Sequence, residues 1–101
     1  LGNVALGNGA LDDASLSGNS NTAIGSTALT AHTSGANNTA VGRYALQAST
    51  TSNNNTAVGL AALQDITTGS NNVALDHSAM LNVTTQSNQV AGGTWHGIWW
   101  W

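Results

Sequence analysis

The segment NNTAVGRYAL, residues 37–46, is one copy of a repeat that runs along most of the chain. Six copies are present, each centred on an Ala: Ala5, Ala23, Ala40, Ala57, Ala74 and Ala91. The last five Ala residues follow a strict 17-residue period, whereas the first interval is one residue longer, so an extra residue falls between Asp12 and Asn19. Self-similarity at a fixed period predicts one structural unit per copy, with the copies stacked on one another.

Each copy predicts a short β-strand around its central Ala. Thr39 and Val41 alternate with Ala40, and period-two alternation with β-branched residues is typical of strands. The Gly that follows, Gly42 in this copy, predicts a positive φ or the close approach of a neighbouring backbone. We therefore predict an all-β fold, a parallel β-solenoid of about six 17-residue coils over residues 1–92, followed by a junction or another module at residues 93–101. The repeat positions that carry this prediction are Ala23, Ile24, Gly25, Leu29, Ala40, Val41, Gly42, Leu46, Ala57, Val58, Gly59 and Leu63.

The Asn residues before the strands admit two interpretations. In a stack of coils, equivalent residues lie about 4.8 Å apart, so Asn side chains at one position can form a ladder of amide hydrogen bonds. Alternatively these Asn residues serve as turns, because Asn tolerates the left-handed conformation. Both interpretations concern Asn21, Asn38, Asn55 and Asn72.

The apolar residues also admit two arrangements. If the Val and Ile residues fill the inside of each coil, a second apolar column is left over to face another copy of the chain, in an oligomer with closed symmetry. Otherwise this second column packs inside its own coils. The column consists of Leu11, Leu29, Leu46, Leu63 and Met80.

Composition excludes several classes of protein. Arg43 is the only Lys or Arg in 101 residues and the formal net charge is −3, so several phosphates cannot be neutralised and we expect no nucleic-acid partner. No apolar run is long enough to cross a bilayer, so we expect no membrane insertion. Without Cys, no disulfide or thiol-ligated zinc site is available. Because the chain begins inside a repeat copy, we expect it to be a fragment of a longer protein.

The residues that catalysis needs are scarce. The only acids are Asp12, Asp13, Asp65 and Asp76, and the His residues are His32, His77 and His96. They form no recognisable ligand spacing and no paired-carboxylate or triad pattern. We therefore expect no enzyme and no cofactor. One exception stays open: His77, presented three times around a three-fold axis, is a candidate to hold a metal or an anion.

The segment NTAIGSTA, residues 21–28, and its copies resemble the head repeat of trimeric autotransporter adhesins, the YadA-like family. They resemble still more closely the NTAVGxxAL repeat of long bacterial surface proteins and bacteriophage tail fibres. The resemblance covers residues 1–92 and implies a left-handed parallel β-roll in which three chains pack side by side, with binding surfaces and no active site. The adhesin repeat is shorter than the repeat of this chain and lacks the Ala-Leu pair, so the loops here differ from that family.

The last segment, GGTWHGIWWW at residues 92–101, differs in kind from the repeat. Its GTWHG part looks like an element that follows repeats in phage tail-fibre sequences. An exposed cluster of Trp side chains can stack on sugar rings or bury against a partner; the alternatives are a truncated junction or an uncertain sequence. The candidate contact residues are Trp95, Trp99, Trp100 and Trp101.

These observations predict a homotrimeric, extracellular fibre segment that holds several weak receptor sites at once. A phage tail fibre used in host attachment comes first and a bacterial trimeric adhesin second, with neighbouring fibre or virion modules and a host-surface glycan or protein as partners. Outside the Trp segment, the loops Asn8–Asn19 and Thr30–Asn37 are the expected contact sites. A further alternative is an ice-binding solenoid with aligned Thr residues; we expect these Thr residues to be buried, which counts against it.

Overall fold

A computed structural model describes residues 2–93 of the chain. Six three-residue strands form one parallel sheet in the order β1-β2-β3-β4-β5-β6. The strands are β1 Val4–Leu6, β2 Thr22–Ile24, β3 Thr39–Val41, β4 Thr56–Val58, β5 Val73–Leu75 and β6 Val90–Gly92. Each strand pairs with the strand of the next repeat, and Ala40 lies opposite Ala23 and Ala57. The predicted all-β parallel solenoid, with one 17-residue coil per repeat, is confirmed.

Backbone hydrogen bonds join the coils outside the sheet as well as within it. On another side of the coil, the N–H of Thr33 donates to the carbonyl of Thr50 at 2.9 Å, and the N–H of Thr50 donates to that of Thr67 at 3.1 Å. The result is a short rod with extents of 34 × 21 × 18 Å. The stacking therefore satisfies backbone polar groups that loops would otherwise leave to water.

The extra residue of the first repeat is absorbed in a loop. Gly7 lies against Gly25, and Gly18 lies against Gly35. The first of these two steps along the chain is one residue longer than the second. The change of register therefore falls in the segment between Gly7 and Gly18, which overlaps the predicted location. Every later strand pair keeps the 17-residue spacing.

The Leu column lies inside the coils, so of the two arrangements that the sequence left open, the one in which Val and Ile fill the interior is wrong. Leu29, Leu46 and Leu63 are fully buried. Their φ angles of 52°, 54° and 51° lie in the left-handed region, where the chain bends and turns the side chain inward. On the strands only the central Ala points inward, because alternate strand residues face opposite sides and the coil is narrow. The alternative in which Leu packs within its own coil is confirmed.

The glycine after each strand is required for two reasons. Gly25, Gly42 and Gly59 have φ angles of 131°, 133° and 135°, a region that residues with a Cβ rarely adopt. A Cβ on Gly42 would also lie 2.7 Å from the carbonyl carbon of Gly59 and closer still to its oxygen. Both predicted roles of this glycine are confirmed. In the fifth coil Asp76 takes the place with a φ of 102°.

Adjacent Asn residues divide the two predicted roles between them. The first residue of each pair, such as Asn54 with a φ of 59°, adopts the left-handed turn and is exposed. The second is fully buried: the N–H of Asn55 donates to Oδ1 of Asn38 at 3.0 Å, and its Nδ2 donates to the carbonyl of Gly69 at 2.9 Å. The N–H of Asn72 donates to Oδ1 of Asn55 in the same way. The ladder and the turns are therefore both present, at neighbouring positions.

Candidate functional site

The outward side chains of the six strands form one continuous surface, which we call the outer sheet face. Its members are Val4, Leu6, Thr22, Ile24, Thr39, Val41, Thr56, Val58, Val73, Leu75 and Val90. All of them are apolar or Thr, and none is charged. Leu6 is 66% exposed, Leu75 48% and Val58 38%. The sequence contains these residues but does not show on which side of the strand they lie, so an arrangement with the apolar ones in the core stayed open.

The Thr residues on this face correct a second expectation. Thr22, Thr39 and Thr56 are half-buried and lie on the outside of the coil, although they were expected to be buried. The reason is again strand alternation: the inward position belongs to Ala. In the fifth and sixth strands Val73 and Val90 occupy the same column, so the Thr row spans only three coils.

The largest polar side chain beside the outer sheet face is Arg43. It is exposed, its guanidinium lies 4.6 Å from the ring centroid of Tyr44, and Nη2 donates to the Tyr44 hydroxyl at 2.7 Å. The same column in the next coil holds Leu60, which is 45% exposed. In the fourth coil the apolar surface therefore extends past the glycine column.

A second group of polar side chains lies inside the coils. The Nε2 of His32 donates to the carbonyl of Gly35 at 2.8 Å, and its Nδ1 lies 3.1 Å from the hydroxyl of Ser49. Ser49 in turn bonds to Ser52, and all three side chains are fully buried. A carbonyl can only accept, so in the neutral imidazole Nδ1 accepts from Ser49, and Ser49 accepts from Ser52.

This buried series of hydrogen-bonded side chains resembles a nucleophile beside a base, yet its geometry points to a structural role. The column of His32 and Ser49 holds Ile66 and Val83 in later coils, so the polar side chains replace apolar packing with internal hydrogen bonds. With no water contact, none of these polar side chains is open to a substrate. The signal was present in the sequence, because His32 and Ser49 lie one 17-residue period apart.

Replacing Ser49 by alanine should lower the free energy of unfolding by about 1–3 kcal/mol, since His32 Nδ1 and the Ser52 hydroxyl both lose their partner in the core. Urea unfolding followed by circular dichroism measures the change. Thr51→Ala, at an exposed position two residues away, is the control and should stay within about 0.5 kcal/mol of the parent. Equal urea midpoints for the two variants would show that the hydrogen bonds of Ser49 contribute nothing to stability.

The metal and receptor candidates predicted from the sequence lie partly on the surface of the coils and partly outside the described residues. His77 is exposed, and its backbone N–H donates to Oδ1 of Asp76 at 2.8 Å. Among residues 2–93 no three His, Asp or Glu side chains are grouped to hold a metal ion. The loop Thr30–Asn37 is only partly exposed, because His32 and Gly35 within it are buried. Trp95, Trp99, Trp100, Trp101 and His96 lie outside the described residues.

Comparison with known proteins adds no relative. No protein-family model, curated protein or solved structure gives a significant match to this chain. Within residues 2–93 there is also no helix with the length and hydropathy needed to span a bilayer.

Proposed function

We propose that this chain is a structural and receptor-binding segment of an extracellular trimeric fibre, with a phage tail fibre used in host attachment as the first candidate and a bacterial trimeric adhesin as the second. The observation that carries the proposal is the unbroken stack of coils. A rod of this kind suits a structural role rather than a catalytic one. It is stiff because each coil is hydrogen-bonded to its neighbours both within the sheet and outside it. The resemblance of the repeat to fibre sequences supports the same assignment.

The physical role of such a segment is spacing and multivalency. A stiff rod holds receptor sites at fixed separations, so several weak contacts to one surface act together and the combined affinity exceeds that of any single contact. The exposed parts of the loop Asn8–Asn19, including Asp12 and Ser15, are available for such contacts. No catalytic step is part of this proposal.

Light scattering of the 101-residue chain over a range of concentrations tests the assembly. We expect the mass to approach three times the 10.2 kDa of one chain. Pull-down of the assembled chain on bacterial cells, with a heat-unfolded sample as control, tests receptor binding. A folded monomer at every concentration would contradict the fibre proposal.

An ice-binding protein is the third candidate, after the phage fibre and the adhesin, and one observation favours it. Thr22, Thr39 and Thr56 stand outward on a regular sheet, spaced by about 4.8 Å, beside the methyl groups of Ile24 and Val41. Thermal hysteresis of the monomeric chain separates the two proposals. An ice-binding face must stay open to water, whereas a fibre subunit covers it.

A further inference from the structure

The third coil departs from the repeat at two adjacent positions, Arg43 and Tyr44. Arg43 is the only Lys or Arg of the chain, and Tyr44 is the only Phe, Tyr or Trp among residues 2–93. Their two columns hold Asn8, Ser26, Leu60 and His77, and Gly9, Thr27, Ala61 and Ser78, in the other coils. Places where a sequence breaks its own local rule are expected at functional sites, so this pair is the first place to look for one.

The backbone at Tyr44 does not favour a large side chain. Its φ is 67°, in the left-handed region, which is uncommon for bulky residues and costs free energy. The same bend occurs at Thr27, Ala61 and Ser78, with φ angles of 60°, 61° and 57°, so the fold imposes it in every coil. The other coils place small residues there, and stability therefore does not explain the ring of Tyr44.

The two side chains are held in a fixed arrangement. The guanidinium of Arg43 lies 4.6 Å from the ring centroid of Tyr44, and Nη2 donates to the Tyr44 hydroxyl at 2.7 Å. The carbonyl of Arg43 accepts from the N–H of Ala61 at 2.8 Å, and the N–H of Tyr44 donates to the carbonyl of Ser26 at 3.1 Å. Because the coils above and below hold both residues, a ligand loses less affinity to ordering them.

The pair retains hydrogen-bonding capacity that the fold does not use. A guanidinium has five N–H donors, and within residues 2–93 the side chain of Arg43 contacts Tyr44 and no carboxylate. The Tyr44 hydroxyl accepts from Arg43, so its own proton is free to donate. Arg binds a carboxylate through two parallel hydrogen bonds. The pair therefore offers a fork for one carboxylate, with a hydroxyl donor beside it.

The neutral groups around this corner favour a sugar as the source of the carboxylate. Nε2 of Gln64 donates to Oε1 of Gln47 at 2.8 Å, both side chains are half-buried, and the N–H of Gln47 donates to the carbonyl of Tyr44. Amides and hydroxyls pair readily with the hydroxyls of a sugar. Acidic and phosphorylated peptides are recognised by clusters of Arg, whereas Arg43 has no second cation beside it.

We propose that Arg43 and Tyr44 form a binding site for a carboxylate-bearing sugar, of the sialic or uronic acid class. Arg43 holds the carboxylate, and the Tyr44 hydroxyl donates to an oxygen of the same sugar. This inference rests on the receptor-binding part of the proposed function and names the chemistry of the ligand. A single contact of this kind is weak and gains affinity when several copies of the site act together.

Nuclear magnetic resonance of the nitrogen-15-labelled chain tests the site directly. Because the chain has only one Arg, the Nε–Hε group of Arg43 gives a single side-chain signal of its kind. We expect this signal to shift saturably on addition of sialyllactose at pH 7. Lactose, which lacks the acidic sugar, is the matched control and should leave the signal in place at the same concentration and ionic strength.

Four variants separate the pair from charge alone. We expect Arg43→Gln to bind sialyllactose at least about ten-fold more weakly, and Arg43→Lys, which keeps the charge without the fork, about five-fold more weakly. Tyr44→Ser introduces the residue that Ser78 supplies in the same column and should also weaken binding. The double variant Arg43→Ser/His77→Arg moves the cation two coils away from Tyr44 at unchanged charge, and it should bind no better than Arg43→Gln. Backbone amide shifts report binding in every variant, and circular dichroism confirms that each is folded.

The other outcomes each have one meaning. An equal shift with an acetylated Glu peptide or with inorganic phosphate overturns the sugar as the ligand, and unchanged binding by the relocated cation overturns the site. Absence of binding by a chain that forms the trimer overturns the site but leaves the fibre function standing. A chain that binds sialyllactose yet stays monomeric at every concentration confirms the site and contradicts the fibre.

Discussion

Replacing Gly42 by alanine is expected to lower the free energy of unfolding by about 3 kcal/mol or more, among the largest effects for a single methyl group in this chain. The new residue must adopt a φ near 133°, and its Cβ also meets the backbone of Gly59, 2.7 Å from the carbonyl carbon. Because the clash is with backbone rather than with a flexible side chain, the two coils must separate. The midpoint of urea unfolding, followed by circular dichroism, measures the loss.

Gly93 offers a matched control in the same column. Its φ is also positive, at 82°, but a Cβ there meets no atom of residues 2–93 within 4 Å. Gly93→Ala therefore carries only the backbone strain, about 1 kcal/mol. Asp76, with its φ of 102°, shows that this position accepts a side chain where the coil adjusts. If Gly42→Ala were no more destabilising than Gly93→Ala, the clash between the Cβ and the next coil would not contribute to the loss of stability.

Replacing Asn55 by alanine is expected to cost about 3–5 kcal/mol, because each buried group that loses its partner costs about 1–3 kcal/mol. Asn55 Oδ1 accepts from the N–H of Asn72 at 2.9 Å and from its Nδ2 at 3.0 Å, and Asn55 Nδ2 donates to Gly69. Alanine leaves the N–H of Asn72 and the carbonyl of Gly69 without these bonds, and Asn72 Nδ2 keeps only its bond to the carbonyl of Gln86. Urea unfolding measures the loss, and hydrogen exchange at the Asn72 amide should accelerate in the same variant.

Asn54→Gly is the control for the ladder. Asn54 is exposed and has a φ of 59°, a conformation that glycine adopts without strain. We expect its stability to lie within about 0.5 kcal/mol of the parent. Should both neighbours respond alike, the ladder would be no more than a by-product of turn geometry.

The period, the strands and the glycine column follow from the sequence because each depends on spacing or on one residue type. Which side of the sheet faces the core does not follow from the sequence. Alternation separates Ala40 from Val41 but does not say which one faces the core, and the choice was decided by the left-handed bend at Leu46, a conformation rarely adopted by Leu. The outer sheet face was missed for this reason.

The buried hydrogen bonds among His32, Ser49 and Ser52 follow only in part from the sequence. His32 and Ser49 share a column, so their proximity follows from the 17-residue period. Their burial depends on how the coil closes at its corner, which local pattern does not encode. In later coils the same corner is filled by the apolar side chains of Ile66 and Val83, and the two solutions are exchangeable within one fold.

Because strand contacts within residues 2–93 join only adjacent coils, length is an adjustable property of this rod. Deleting or duplicating one 17-residue unit in the gene leaves the neighbouring coils with equivalent partners and changes the reach of the molecule by about 4.8 Å. Recombination between copies can therefore produce longer and shorter descendants without inventing a new core.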